Sequence, residues 1–147
     1  MLLQLEPSAA ANEVRKGTGG MVVVLGAEIE EINNLLEEKQ NDYKCYIAND
    51  NSKGQIVLSG LNSDLDKLID TLKVKKIKNI KLPVSAPFHC KLMNKATSIM
   101  SDKINNTNFE KPKNAIISNV TGEETQEIEK IKNLLIKQIE SPVRWRE

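Results

Sequence analysis

His89 is the only histidine among the 147 residues, and it sits in Ser85-Ala86-Pro87-Phe88-His89-Cys90, where a strand-like run meets a proline and a helix-like run begins. An imidazole trades protons near neutral pH, and a loop between two regular elements is where a scaffold presents such a group. To act as a general base it needs one ring nitrogen free for a nucleophile's proton and the other held by a fixed acceptor. No acidic residue adjoins His89, so the acceptor has to come from elsewhere in the fold. Gln138 is a candidate, because Ile128, Ile131, Leu135 and Gln138 follow one helical face and a polar group on a buried face needs a partner. The plainer alternatives are a histidine satisfied by local backbone and a glutamine at a solvated helix end.

Cys90 could serve as a nucleophile for acyl chemistry, but adjacent residues on a helix or turn point in different directions, which favours a packing role. The cluster Gly17-Thr18-Gly19-Gly20 precedes a strand, and no Lys-Ser/Thr follows it, so it reads as a hinge and not a phosphate loop. Asn49, Asn51, Ser52 and Gln55 form a polar stretch that turn chemistry explains on its own. Lys73, Lys75, Lys76, Lys78 and Lys81 make a basic run, in most sequences a solvated edge.

The elements that must position these groups follow from periodicity. Met21 to Leu25 reads as a buried strand, and Ile29, Ile32, Leu35 and Leu36 mark one helix face. Tyr43, Cys45 and Ile47 alternate as a second strand. Ile56-Val57-Leu58 forms a third after the turn Asn49 to Gly54. Leu61, Leu65, Leu68, Ile69 and Leu72 give a second helix, with Ser63 and Asp66 placed as a capping pair. Ile80, Leu82 and Val84 give a fourth strand that Pro83 confines to an edge or an end. The order β-α-β-β-α-β is that of a ferredoxin-like unit. Leu92, Met93, Ala96, Ile99, Met100 and Ile104 then make an amphipathic helix. Ala115 to Val120 is a short apolar strand with no sheet of its own, and a last helix carries Ile128, Ile131, Leu134, Leu135 and Ile139.

Composition bounds the rest. A chain of this length with 39% apolar residues can bury one modest core. The net charge of +1 gives no global drive toward nucleic acid or an anionic membrane. Cys45 and Cys90 fit neither a zinc spacing nor a disulfide scaffold, and no apolar run approaches a membrane span. The expected location is cytoplasmic, with no cofactor, metal, nucleic acid or membrane partner.

Five stretches, read in order, resemble the C-terminal half of the malonyl-CoA:acyl carrier protein transacylases over about residues 14 to 147. They are Gly17-Thr18-Gly19-Gly20-Met21, Ala48 to Gln55, Leu82 to Met93, Ile117-Ser118-Asn119-Val120-Thr121-Gly122, and Gln138 followed by Ser141-Pro142-Val143-Arg144-Trp145. The Gly-x-Ser-x-Gly that would carry the nucleophile occurs nowhere in the sequence. The resemblance implies an α/β fold: a ferredoxin-like βαββαβ subdomain over 15–84, then helix-strand-helix pieces of an α/β-hydrolase-like acyltransferase core over 85–147, with 1–14 an unassigned leader. It implies malonyl transfer from coenzyme A to carrier protein through a serine ester, with malonyl-CoA, an acyl carrier protein and the missing N-terminal half as partners.

By position, the resemblance makes His89 the catalytic acid and base, and Gln138 the donor of a backbone carbonyl that orients it. Phe88 matches the phenylalanine that crowds the pocket against an α-methyl branch, while Asn51, Gln55 and Asn119 fall near the cleft. The lysine run could steer an acidic carrier protein. The family's carboxylate-binding arginine has no counterpart, since Glu6 aligns there and Arg15 is too close to the glycine turn. The chain is expected to be cut at both ends and inactive alone. Two alternatives remain: a non-catalytic ferredoxin-like module that binds a carrier protein, and a fragment of a polyketide synthase acyltransferase domain.

Overall fold

The computed structural model describes residues 17–147; the leader 1–14, with Glu6, and Arg15 lie outside them. Strands β1 (Gly19–Leu25), β2 (Cys45–Ser52), β3 (Gln55–Leu61) and β4 (Lys78–Lys81) form a sheet in the order β2-β3-β1-β4. All its pairings are antiparallel. Helices α1 (Ile29–Glu38) and α2 (Asn62–Val74) complete the βαββαβ order of a ferredoxin-like unit.

Strand alternation divides β1 between two apolar layers. Val22 and Val24 join Ile56, Leu58 and the helix residues Ile32, Leu35, Leu65, Leu68 and Leu72 in the main core. Met21 and Val23 face the other way, with Ala48 and Val57, and Leu82 and Phe88 pack against them. Because both faces of β1 are covered, its sequence reads as an unbroken apolar run and not as an alternation.

Three local expectations are corrected. Ser63 and Asp66 do not form a capping pair: α2 starts at Asn62, whose Nδ2 donates to the Gly17 carbonyl (2.7 Å), while Asp66 accepts from Lys81 (3.0 Å). The Thr18 carbonyl accepts from Asn62 N–H (2.9 Å), so a residue distant in sequence caps this helix end, a contact no local pattern contains. The polar stretch Asn49–Ser52 is strand, not turn, bulged twice against β3, and only Lys53-Gly54 turns. The fourth strand ends at Lys81, although Leu82 N–H still donates to the Met21 carbonyl (2.9 Å). The C-terminus of α2 closes with Ile77 N–H on the Leu72 carbonyl and Lys76 N–H on that of Lys73, which puts Lys76 at φ 59°.

Past Pro87, a short 3₁₀ turn (Lys91–Met93) leads into α3 (Asn94–Asn105), which packs on α4 (Ile128–Lys137). The strand expected over Ala115–Val120 shrinks to β5 (Ile116–Ile117), paired among the described residues only with β6 (Glu124–Thr125). Ile117 remains 71% exposed. The last residues return to the ferredoxin-like sheet: Val143 N–H donates to the Ala48 carbonyl (2.8 Å) and Asp50 N–H to that of Val143 (2.9 Å), a parallel bridge on the open edge of β2.

Candidate functional site

Two anchors fix the loop that carries His89. Buried Ser59 on β3 donates its hydroxyl to the Phe88 carbonyl at 2.5 Å. Gly19 abuts Pro87 so closely that a Cβ there would lie 2.6 Å from the proline Cδ. The Phe88 side chain wedges between the Met21/Val23 layer and the Met93/Ala96 cluster beneath α3. His89 then takes a left-handed backbone conformation, φ 58°, before extended Cys90 opens the 3₁₀ turn. A side chain with a Cβ pays for that conformation, and such positions concentrate at functional sites.

The reward is direction. His89 Nδ1 lies 2.8 Å from the main-chain oxygen of Gln138, which ends α4. A carbonyl only accepts, so Nδ1 is the donor, and in the neutral form of the ring that leaves Nε2 bare. The half-buried imidazole lines an open cleft of about 700 Å³ together with Cys45, Tyr46, Asp50, Lys91 and Arg144. An imidazole with one nitrogen held this way can act as a general base through the other.

The remaining candidates divide. Asn119 joins the site indirectly: its Nδ2 donates to Gln138 Oε1 (3.3 Å), and its carbonyl accepts from Arg144 N–H (2.9 Å). Phe88, Asn51 and Gln55 do not line the His89 cleft. Asn51 sits half-buried in the second bulge of β2, and Gln55 is exposed at the start of β3. At the ends of the lysine run, Lys73 pairs with Asp70 and Lys81 with Asp66, both on α2. Cys90 is buried, donates its thiol to the Pro87 carbonyl (3.2 Å), and has its pKa pushed up chiefly by burial. Cys45 is pushed up to about 12, again chiefly by burial. Neither thiol is a nucleophile at neutral pH.

Sequence reasoning missed Ser59, Asp50 and Arg146. Ser59 left a trace, as a polar residue inside Ile56-Val57-Leu58-Ser59-Gly60. Asp50 and Arg146 left none, because only the return of the chain terminus brings them together, with Arg146 Nη2 3.0 Å from Asp50 Oδ2.

No protein-family model matches the chain. It is similar to curated malonyl CoA-acyl carrier protein transacylases: 29% identical to that of Haemophilus influenzae over 99% of this chain and 47% of the relative, and 33% identical to that of Staphylococcus aureus over 88% and 42%. The chain therefore spans about half the length of the curated relatives it matches, their C-terminal portion. The solved transacylase of Clostridium perfringens superposes with a TM-score of 0.86 at 36% identity, covering 95% of this chain and 44% of that one. A malonyl-transacylase solved with its type II polyketide acyl-carrier protein gives 0.88 at 30% identity, covering 95% and 46%.

Proposed function

We propose that these residues are the base-carrying part of a malonyl-CoA:acyl carrier protein transacylase of fatty acid synthesis, acting in the cytoplasm with a serine supplied from outside this sequence. The hydrogen bond from His89 Nδ1 to the Gln138 carbonyl supports this reading above all, because it leaves Nε2 bare for the serine proton.

As Nε2 takes that proton, the serine oxygen bonds to the malonyl thioester carbon. The tetrahedral intermediate then expels coenzyme A, whose sulfur receives the proton from the imidazolium. In the return half, Nε2 takes the proton of the carrier thiol, the thiol attacks the malonyl-serine ester, and the proton returns to the serine oxygen. The Gln138 carbonyl keeps the ring in one tautomer and stabilises the imidazolium through both halves. Residues 15–84 are the ferredoxin-like subdomain in this reading, and 85–147 part of the catalytic core.

The test is a chimera that joins this sequence to the N-terminal half of the Clostridium perfringens transacylase, assayed for malonyl transfer from coenzyme A to carrier protein. His89→Ala should lower the rate about 1,000-fold, and the 147 residues alone should transfer nothing. Transfer that is indifferent to His89→Ala, or transfer by the chain alone, would refute the assignment. Carrier binding by the isolated chain that survives His89→Ala, with no transfer in the chimera, would instead indicate a non-catalytic module.

A further inference from the structure

We propose that Asp50 and Arg146 form a positioning clamp for the general base, an inference that rests on the catalytic role of His89. Both ends of the His89–Gln138 hydrogen bond are referenced to the ferredoxin-like sheet, through different routes. His89 is tied to β3 by the Ser59 hydroxyl on the Phe88 carbonyl. Gln138 is tied to β2 through the terminal segment: Val143 bridges the strand, Arg144 N–H donates to the Asn119 carbonyl, and the Asn119 amide holds the Gln138 side chain.

Beyond Arg144 the segment is fastened to β2 by an ion pair and a main-chain hydrogen bond, both on Asp50. Arg146 Nη2 meets Asp50 Oδ2 at 3.0 Å, and Arg146 N–H donates to the Asp50 carbonyl at 3.1 Å. The Asp50 side chain is only 13% exposed, and its Oδ1 is buried with no hydrogen-bond partner among the described residues. Arg146 is the ion-pair partner of this nearly buried carboxylate among the described residues, and removing one partner of a buried charge is costly because the other is left uncompensated. The other ion pairs of the described residues lie on more exposed carboxylates. Releasing Arg146 leaves the segment after Gln138 held only by the main-chain bonds of Val143 and Arg144 among those named, while His89 stays anchored on β3, so the register between the two groups loosens.

The sole histidine makes the test clean, because the imidazole nitrogen signals of the chain belong to His89 alone. In Arg146→Gln and Asp50→Asn the Nδ1–H form should give way to a mixture of tautomers. Arg146→Lys should retain it, and Lys130→Gln, which removes an exposed contact to Glu123, should leave it unchanged. In the chimera, Arg146→Gln should lower kcat by about 10- to 100-fold, the scale of a small misplacement of a catalytic group. KM should stay within about twofold. Arg146→Gln and Asp50→Asn that keep both the parental tautomer and the parental kcat, in a chimera that still needs His89, would overturn the clamp. Should Arg146→Gln fail to fold, the near-isosteric Asp50→Asn decides on the same signals. A chimera indifferent to His89 would remove the catalytic reading, and the ring signals would still decide whether the clamp holds the imidazole.

Discussion

Glycine should stabilise this chain relative to alanine at position 89, the reverse of the usual order. In a strand or helix interior, glycine is about 0.5–1 kcal/mol worse than alanine. At φ 58° the Cβ of alanine crowds the backbone at a cost of about 1–2 kcal/mol. The greater freedom of glycine in the unfolded chain takes back about 0.4–1 kcal/mol of that. Both substitutions lose the bond to Gln138, so it cancels in the comparison. His89→Gly should therefore exceed His89→Ala in stability by about 1 kcal/mol. With a urea slope of about 2 kcal/mol/M, the unfolding midpoint of the glycine variant should lie about 0.5 M higher by far-ultraviolet circular dichroism. Coincident midpoints, or a higher one for alanine, would refute the strained backbone on which the presentation of His89 rests.

Lys76, at φ 59° beyond α2 and exposed, offers the same test away from the site: Lys76→Gly should raise stability by about 0.5–1 kcal/mol, and a loss in urea unfolding would count against the helix-end geometry. Ser59→Ala removes the donor to the Phe88 carbonyl and should cost about 1–2 kcal/mol, with an unchanged thermal midpoint contradicting the anchor. Burial raises the Cys45 thiol from an ordinary 9.0 to about 12, so between these values the native state keeps a proton that the unfolded chain releases. This contribution to stability is complete below pH 9 and is lost as pH rises toward 12. Urea titrations across that range should show the decline, and a flat profile would contradict the burial of the thiol.

The ferredoxin-like unit was legible because its signals are local or periodic. Met21–Leu25 is covered on both faces, and the helices show their apolar stripes. Where the sequence misleads, a distant partner has replaced a local rule. Asn49–Ser52 has turn composition, yet it is strand because β3 pairs one side and Val143 returns to the other. Ile116 and Ile117 carry strand composition, but among the described residues only the short strand Glu124–Thr125 pairs with them, which leaves Ile117 exposed. At the site, His89 and Gln138 stood out by type, face and motif, while the bond between them spans 49 positions and needs the folded chain. Asp50 and Arg146 are ordinary charged residues in sequence; burial and the returning terminus make them a pair.

The most direct measurement is the tautomer of His89 in the unmodified chain, read from two-bond proton–nitrogen correlations of its imidazole at a pH where the ring is neutral. A single set of signals with Nδ1 protonated and Nε2 bare is the expected result, since only that form donates to the Gln138 carbonyl and leaves a base free. A ring protonated at Nε2, or averaged between the two forms, would contradict the hydrogen bond on which the proposed chemistry depends.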